Sequence, residues 1–314
     1  MIKLVFVAAA AWLLYVYAGY PLALVVLAWL RGAGRHSSGT GRPAILLPFG
    51  LGSGDDAGSH HYLPSVSVLI AARNEERDIG WKIAETLAWD YPENKLEVLV
   101  ASDASDDRTD EIVRAIPDPR VSFIRVERRG GKVRALNRLA EVSRGEILFF
   151  TDANAHVEAR ALRRMVRHFA DPRVGCVTGD SRPMEEMASP AISNGASVYW
   201  GFESLLKSLE SRIGSVLVCD GAIFCARAAL YRPLHPELAN DLELPMRIGA
   251  AGYRVTHEPG ALVFERDTQS PSEEFARRRL MCGQGMAAML ELPEVLRGLR
   301  GWNLSHTNSC AGPR

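Results

Sequence analysis

Asp152 and Asn154 are the residues from which the chemistry of this chain is read most directly. They close the run Glu146-Ile-Leu-Phe-Phe-Thr-Asp-Ala-Asn154, where apolar and β-branched residues give way abruptly to an acid. That is the pattern of a buried strand and its carboxyl end. In open α/β sheets ligands bind outside the carboxyl ends of strands. A carboxylate and an amide oxygen placed there, one residue apart, are hard donors suited to magnesium or manganese carrying a substrate diphosphate. The same acid could instead cap a helix beginning near Glu158. Other strand ends carry polar groups too: Arg73, Asn74 and Glu75 after the first strand, Ser102 and Asp103 after the second, and Gly130, Gly131 and Lys132 after the third. Each is weak alone, but together they place donors, acceptors, a phosphate-binding cation and a metal-binding acid along one rim.

The elements that must position these residues follow from the hydrophobic pattern. Strands are expected at Val66–Ala72, Leu96–Ala101, Val121–Val126 and the run ending at Asp152. Helices are expected at Asp78–Trp89, Arg108–Ile116 (capped by Asp106 or Asp107), Lys132–Ser143 and Glu158–Ala170. Alternating strand and helix implies a mainly parallel sheet with right-handed crossovers. No Gly-x-Gly-x-x-Gly follows the first strand, which excludes a dinucleotide-binding dehydrogenase.

The 314 residues are 47% hydrophobic, enough for a substantial core. Lys+Arg and Asp+Glu balance at 37 each, so charge gives no sign of a nucleic-acid partner. Cys176, Cys219, Cys225, Cys282 and Cys310 show no zinc spacing and read as reduced, cytosolic thiols. Leu4 to Leu30 contains no charged residue and is long enough to cross a bilayer, which takes about 20 apolar residues. It is longer than a signal-peptide core and lacks a small-residue cleavage site, which favours an anchor. Pro21 is a potential kink. Arg31, Arg35 and Arg42 follow with no acid before Asp55, so the positive-inside rule puts the downstream domain in the cytoplasm. The expected organisation is an anchor at 1–31, a Gly/Ser/Pro-rich linker at 32–64 holding His60 and His61, an α/β domain at 65–292 and a short polar tail at 293–314.

Four motifs in order, Ala71-Ala-Arg-Asn-Glu-Glu76, Ser102-Asp-Ala-Ser-Asp-Asp-Arg-Thr109, Gly131-Lys-Val-Arg-Ala-Leu-Asn137 and Phe150-Thr-Asp-Ala-Asn154, closely resemble the family 2 glycosyltransferases. The resemblance covers about Val66 to Leu290. It implies an α/β GT-A fold, a Rossmann-like, mainly parallel sheet of the nucleotide-diphospho-sugar transferases, behind an N-terminal transmembrane helix. Carried across residue by residue, Ala72, Arg73, Asn74 and Glu75 would line the nucleotide, Asp103 would bond its base, and Lys132 and Asn137 would complete the donor site. Asp152 and Asn154 would hold a divalent metal, Mg or Mn. Family members usually have Asp where Asn154 stands, so a negative charge is lost.

The resemblance extends to the acceptor half. Val198–Ile213 is expected to be a helix with Trp200, Phe202, Leu205, Leu206 and Leu209 toward one side, lying at the membrane, along an acceptor channel or in the core. Asp220 and Gly221, within Cys219-Asp-Gly-Ala-Ile-Phe-Cys225, correspond to an acceptor-side loop. Asp241 matches the family's catalytic base, which removes the acceptor hydroxyl's proton; Asn240 stands where another acid is usual, and helix capping is the competing role for Asp241. Phe275-Ala-Arg-Arg-Arg-Leu280 resembles a Gln-x-x-Arg-Trp element, with Arg278 and Arg279 able to meet diphosphate or anionic lipid, although Ala276 and Leu280 replace its Gln and Trp. The implied enzyme is a membrane-anchored, inverting transferase, moving sugar from a UDP-sugar to a polysaccharide or lipid-linked acceptor, with partner subunits of a synthesis complex conceivable. The alternative is a degenerate nucleotide-sugar-binding scaffold. His156 and His257 are expected to pack, not to bind metal.

Overall fold

The computed structural model describes residues 2–33, 62–184 and 195–266, with only Phe275, Arg279 and Gly283 beyond them. Residues 34–61 of the expected linker, the arginine run's Arg278 and the C-terminal tail lie outside the described residues. Helix α1 (Ile2–Leu14) passes through a five-residue π-turn (Tyr15–Gly19) into α2 (Tyr20–Ala33). The Tyr20 amide bonds the Tyr15 carbonyl, so the wider turn comes directly before Pro21, whose missing N–H would break an ordinary α-helical ladder.

The described chain after these helices is built on one eight-stranded sheet, ordered β3-β2-β1-β4-β7-β6-β8-β5. Its strands are β1 (Val66–Ala72), β2 (Leu96–Asp103), β3 (Val121–Val126), β4 (Ile147–Asp152), β5 (His156–Val157), β6 (Val174–Pro183), β7 (Phe224–Arg227) and β8 (Arg254–Glu265). The helices are α3 (Ile79–Leu87), α4 (Thr109–Arg114), α5 (Lys132–Val142), α6 (Ala161–Val166), α7 (Gly195–Ile213) and α8 (Asn240–Ala250).

The first four strands are parallel, as the alternating pattern requires. Strand β7 then runs antiparallel between β4 and β6, and β8 lies parallel to β6. The sequence pattern does not define this second half: β6 and β7 carry short or mixed polar patterns whose partners are remote in the chain, and pairing, not propensity, defines them.

Strand β4 shows why the parallel half is legible. Phe149 packs on one face with α3, α4 and α6, and Phe150 on the other with α5 and α8, both essentially inaccessible. Phe150 stacks on Phe224 with centroids 4.5 Å apart. A strand covered on both faces must be apolar throughout, and removing either ring would cost about 3–5 kcal/mol.

Helix α7 departs from a simple core helix. Among its side chains, Ser204 and Leu209 are buried, whereas Leu205 is exposed and Phe202 faces Tyr17 of the N-terminal helix at 6.1 Å. Its polar side meets the sheet: Ser204 bonds Asp180 at 2.5 Å, and Ser208 bonds His257 at 3.1 Å. Its other side receives α2, where the Tyr20 hydroxyl donates to Glu210 at 2.7 Å. Residues Val5–Leu30 form an apolar stretch long enough to cross a membrane by length and composition.

Candidate active site

The ends of β1 and β2 are sewn into a double loop. Asn74 accepts the Asp106 amide at 2.9 Å and its own amide donates to Ser105 at 3.2 Å. The Glu75 amide donates to Thr109, and the Glu76 amide to Asp107. Asp107 also receives the Thr109 amide and hydroxyl, so it braces the start of α4 from outside the helix; the cap position itself is Arg108 and carries no side-chain cap, so neither Asp106 nor Asp107 fills the expected capping role. Asn74 and Ala104 hold φ of 56° and 52°. Asparagine tolerates that region, whereas alanine pays roughly 1–2 kcal/mol there. The sequence gives no signal for strain at Ala104; it comes from the cross-links on either side.

Asp103 fixes the next loop. Its two oxygens accept the Gly130 and Gly131 amides at 2.7 and 2.8 Å. Gly131 has φ of 85°, a conformation that favours glycine, and it immediately precedes α5. Lys132 is thereby set at the first position of α5, with the helix's free amides and positive end beside it, a natural phosphate site. Its ammonium lies 2.5 Å from Asp152 Oδ1.

Ala72, Arg73, Glu75, Asp103, Lys132, Asp152 and Asn154 share the lining of one open cleft of about 380 Å³. Arg129 lines it too and was not singled out in the sequence, where it is one arginine of a polar loop. Asn74 stands at the rim, structuring the loop. Asn137 sits elsewhere: its amide oxygen accepts the Tyr231 hydroxyl and Leu234 amide, and its nitrogen donates to the Leu234 carbonyl. All of these contacts tie α5 to the segment before α8, and Asn137 is not among the cleft's lining residues.

Asp241 stands in the first turn of α8, but the cap position is Ala239 and no side chain caps it. The helix-cap role is therefore not the one Asp241 fills. Gly221 packs directly against it: a Cβ on Gly221 would lie 2.8 Å from Asp241 Oδ2. The Cys219 amide bonds the Asp241 carbonyl, locking the loop that begins at Cys219 to α8. Asp220 points the other way, accepting the Ser181 and Ala222 amides, and Lys207 approaches it at 4.0 Å.

The electrostatics join the two halves. Burial pushes the Asp241 pKa up, Lys132 opposes this, and Asp220 and Asp152 add to it. For Lys132, burial works to lower the pKa, but Asp152, Asp241 and Glu265 outweigh it and raise it. Lys132 thus lies within the field of both acids. Burial raises Glu75 to about 7, helped by Asp78, Asp152 and Asp107. Burial raises Asp220 as well, against Lys207.

Among the described residues no cluster of three or more His, Cys, Asp or Glu forms a metal cage. The donor set still fits a cation completed by substrate: Asp152 and Asn154 offer hard oxygens on one turn, beside a lysine and a helix N-terminus for phosphates. Magnesium-type ions are commonly held by one or two carboxylates plus substrate phosphate. Arg279 is exposed and is not brought to this cleft by any described contact.

A sheet with a nucleotide-sized cleft at its parallel carboxyl ends and an acid-bearing loop beside it defines a GT-A type sugar transferase. The chain belongs to glycosyl transferase family 2, whose family model matches residues 67–229. It is 34% identical over 141 residues to the beta-monoglucosyldiacylglycerol synthase of Synechocystis sp., covering 44% of this chain and 28% of that one. It is 27% identical over 258 residues to an N-acetylglucosaminyltransferase of Rhizobium meliloti, covering 76% and 59%. These matches span less than two thirds of either relative. Among solved structures, a mannosyltransferase from Pyrobaculum calidifontis in complex with GDP-Man and Mn2+ superposes with a TM-score of 0.68 at 24% identity, covering 95% of this chain and 81% of that one. GalNAc-T7 with UDP, GalNAc and Mn2+ shares the fold at a TM-score of 0.51 and 15% identity.

Proposed function

We propose that this glycosyltransferase moves a sugar from a nucleoside-diphosphate donor, a UDP-sugar, to a hydroxyl of a polysaccharide or lipid-linked acceptor, with inversion at the anomeric carbon. The observation that supports the reading is the 2.5 Å contact of Lys132 with Asp152, with the charge of Lys132 also felt by Asp241. The donor diphosphate would lie over the N-terminus of α5, where Lys132 neutralises it and a divalent ion on Asp152 and Asn154 adds positive charge as it departs. Asp103 positions the Gly130-Gly131 turn beneath the diphosphate and is available to the base through its remaining lone pairs. Asp241, on the acceptor side, accepts the hydroxyl proton as that oxygen attacks; its raised pKa strengthens it as a base. One base facing a single leaving group supports one displacement, hence inversion.

The acceptor class draws on the names of the relatives, one a glucosyldiacylglycerol synthase and one an N-acetylglucosaminyltransferase. A membrane anchor is supported by the apolar Val5–Leu30 helix, which is long enough to cross a bilayer and almost wholly exposed in its most apolar stretch. The arginines that follow it favour a cytoplasmic catalytic domain.

A non-catalytic, nucleotide-sugar-binding subunit is the second reading. It is favoured by amides at Asn154 and Asn240, the latter buried with its nitrogen unpartnered among the described residues. Manganese-dependent UDP release from a panel of UDP-sugars separates the two. Turnover that Asp241→Asn abolishes supports the enzyme. UDP binding without turnover, identical in the variant, supports the scaffold.

A further inference from the structure

Helix α3 buries a stripe of Ile79, Lys82, Ile83 and Thr86. Three of these suit the interface; Lys82 does not, and it is completely inaccessible. Burying an ammonium is costly unless its donors are satisfied. Here Nζ donates to Thr151 Oγ1 at 3.0 Å and to the Ala155 carbonyl at 2.5 Å, with Glu85 at 3.7 Å. It also lies 5.8 Å from the Trp89 ring centroid. Burial lowers its pKa to about 8, with Glu85 and Asp152 resisting the fall.

The two hydrogen-bond partners are the ends of one short turn. Thr151 precedes Asp152, Ala155 follows Asn154, and the Ala155 amide bonds the Asp152 carbonyl at 3.3 Å. We propose that Lys82 is a positioning residue of the donor site: a buried ammonium that clamps both ends of the Thr151–Ala155 turn, so that Asp152 and Asn154 present their oxygens to the same cation. The inference rests on the metal-assisted transferase reading given above. Two effects of Lys82 on a divalent ion oppose each other, since its charge repels the ion while its hydrogen bonds fix the ligands. Glu85, part-buried 3.7 Å from the ammonium, offsets its charge, which mutes the repulsion, and positioning prevails.

The test uses Lys82→Met, close in size and uncharged, and Thr151→Val, which removes one anchor without changing charge. Manganese affinity of the UDP complex is measured by calorimetry, and metal-free protection of amides 152–155 by hydrogen exchange. Outer-shell partners of metal ligands are typically worth about 10–100-fold in affinity. Lys82→Met is expected to weaken manganese binding in that range, with metal-free UDP affinity within about twofold, and Thr151→Val to weaken it less. Both variants should exchange amides 152–155 faster than wild type. If Lys82→Met does not fold, Thr151→Val decides. Unchanged protection in a folded variant overturns the clamp, as does unchanged or tighter manganese binding. If wild type itself shows no manganese-dependent UDP binding, the metal-assisted reading fails, and the exchange data still decide the clamp.

Discussion

Gly221→Ala offers a graded test of Asp241 as the base. The backbone of Gly221 lies outside the left-handed region, which Gly131 and Gly252 alone occupy among the described glycines, so alanine adds no backbone strain. Its new Cβ, however, would stand 2.8 Å from Asp241 Oδ2 and 3.4 Å from Cγ. Non-bonded heavy atoms settle at roughly 3.5 Å, so the carboxylate must retreat by about half an ångström or more. Misplacing a reacting group by 1 Å costs on the order of 10²-fold, and half that shift is expected to cost about tenfold in kcat. Asp241→Asn, which removes the base, should cost about 10²–10⁴-fold. The assay is nucleoside-diphosphate release at saturating donor and manganese, with nucleotide affinity measured in parallel and expected to be unchanged. In the double variant Gly221→Ala should add nothing, because both changes act through one carboxylate. A fully active Gly221→Ala enzyme, or a loss of equal size in the Asp241→Asn background, would refute the reasoning.

Asp152→Ala should abolish manganese-dependent UDP binding, read by calorimetry, whereas Asn154→Asp should tighten it by restoring the missing charge. Glu75 has a folded pKa of about 7, above its ordinary value, so it weakens the fold as pH rises from about 4.5 to 7 and fully above that. Glu75→Gln should therefore raise Tm at pH 8 and leave it nearly unchanged at pH 4. Ala104→Gly should stabilise the protein by about 1 kcal/mol in denaturant unfolding, because glycine accepts the φ of 52° without strain.

Much of the parallel half was legible because its physics is local. A strand buried on both faces, such as the one bearing Phe149 and Phe150, must be an unbroken apolar run, and the polar residue that ends it marks the rim. Thus Arg73, Glu75, Asp103, Lys132 and Asp152 could be read as one rim before any coordinates. The nearness of Lys132 to Asp152 could not, since it depends on Asp103 gripping the Gly130 and Gly131 amides across two strands. Asn137 shows the converse: a plausible motif position whose amide oxygen and nitrogen are engaged with Tyr231 and Leu234. Lys82 broke an apolar stripe in plain view, but a buried lysine acquires meaning only from partners 69 and 73 residues away. The sequence alone determined which chemical groups stand at strand ends, because period and composition act between near neighbours. Tertiary structure alone decided which of those groups share a field, because hydrogen bonds and Coulomb forces depend on distance in space and take no account of separation along the chain.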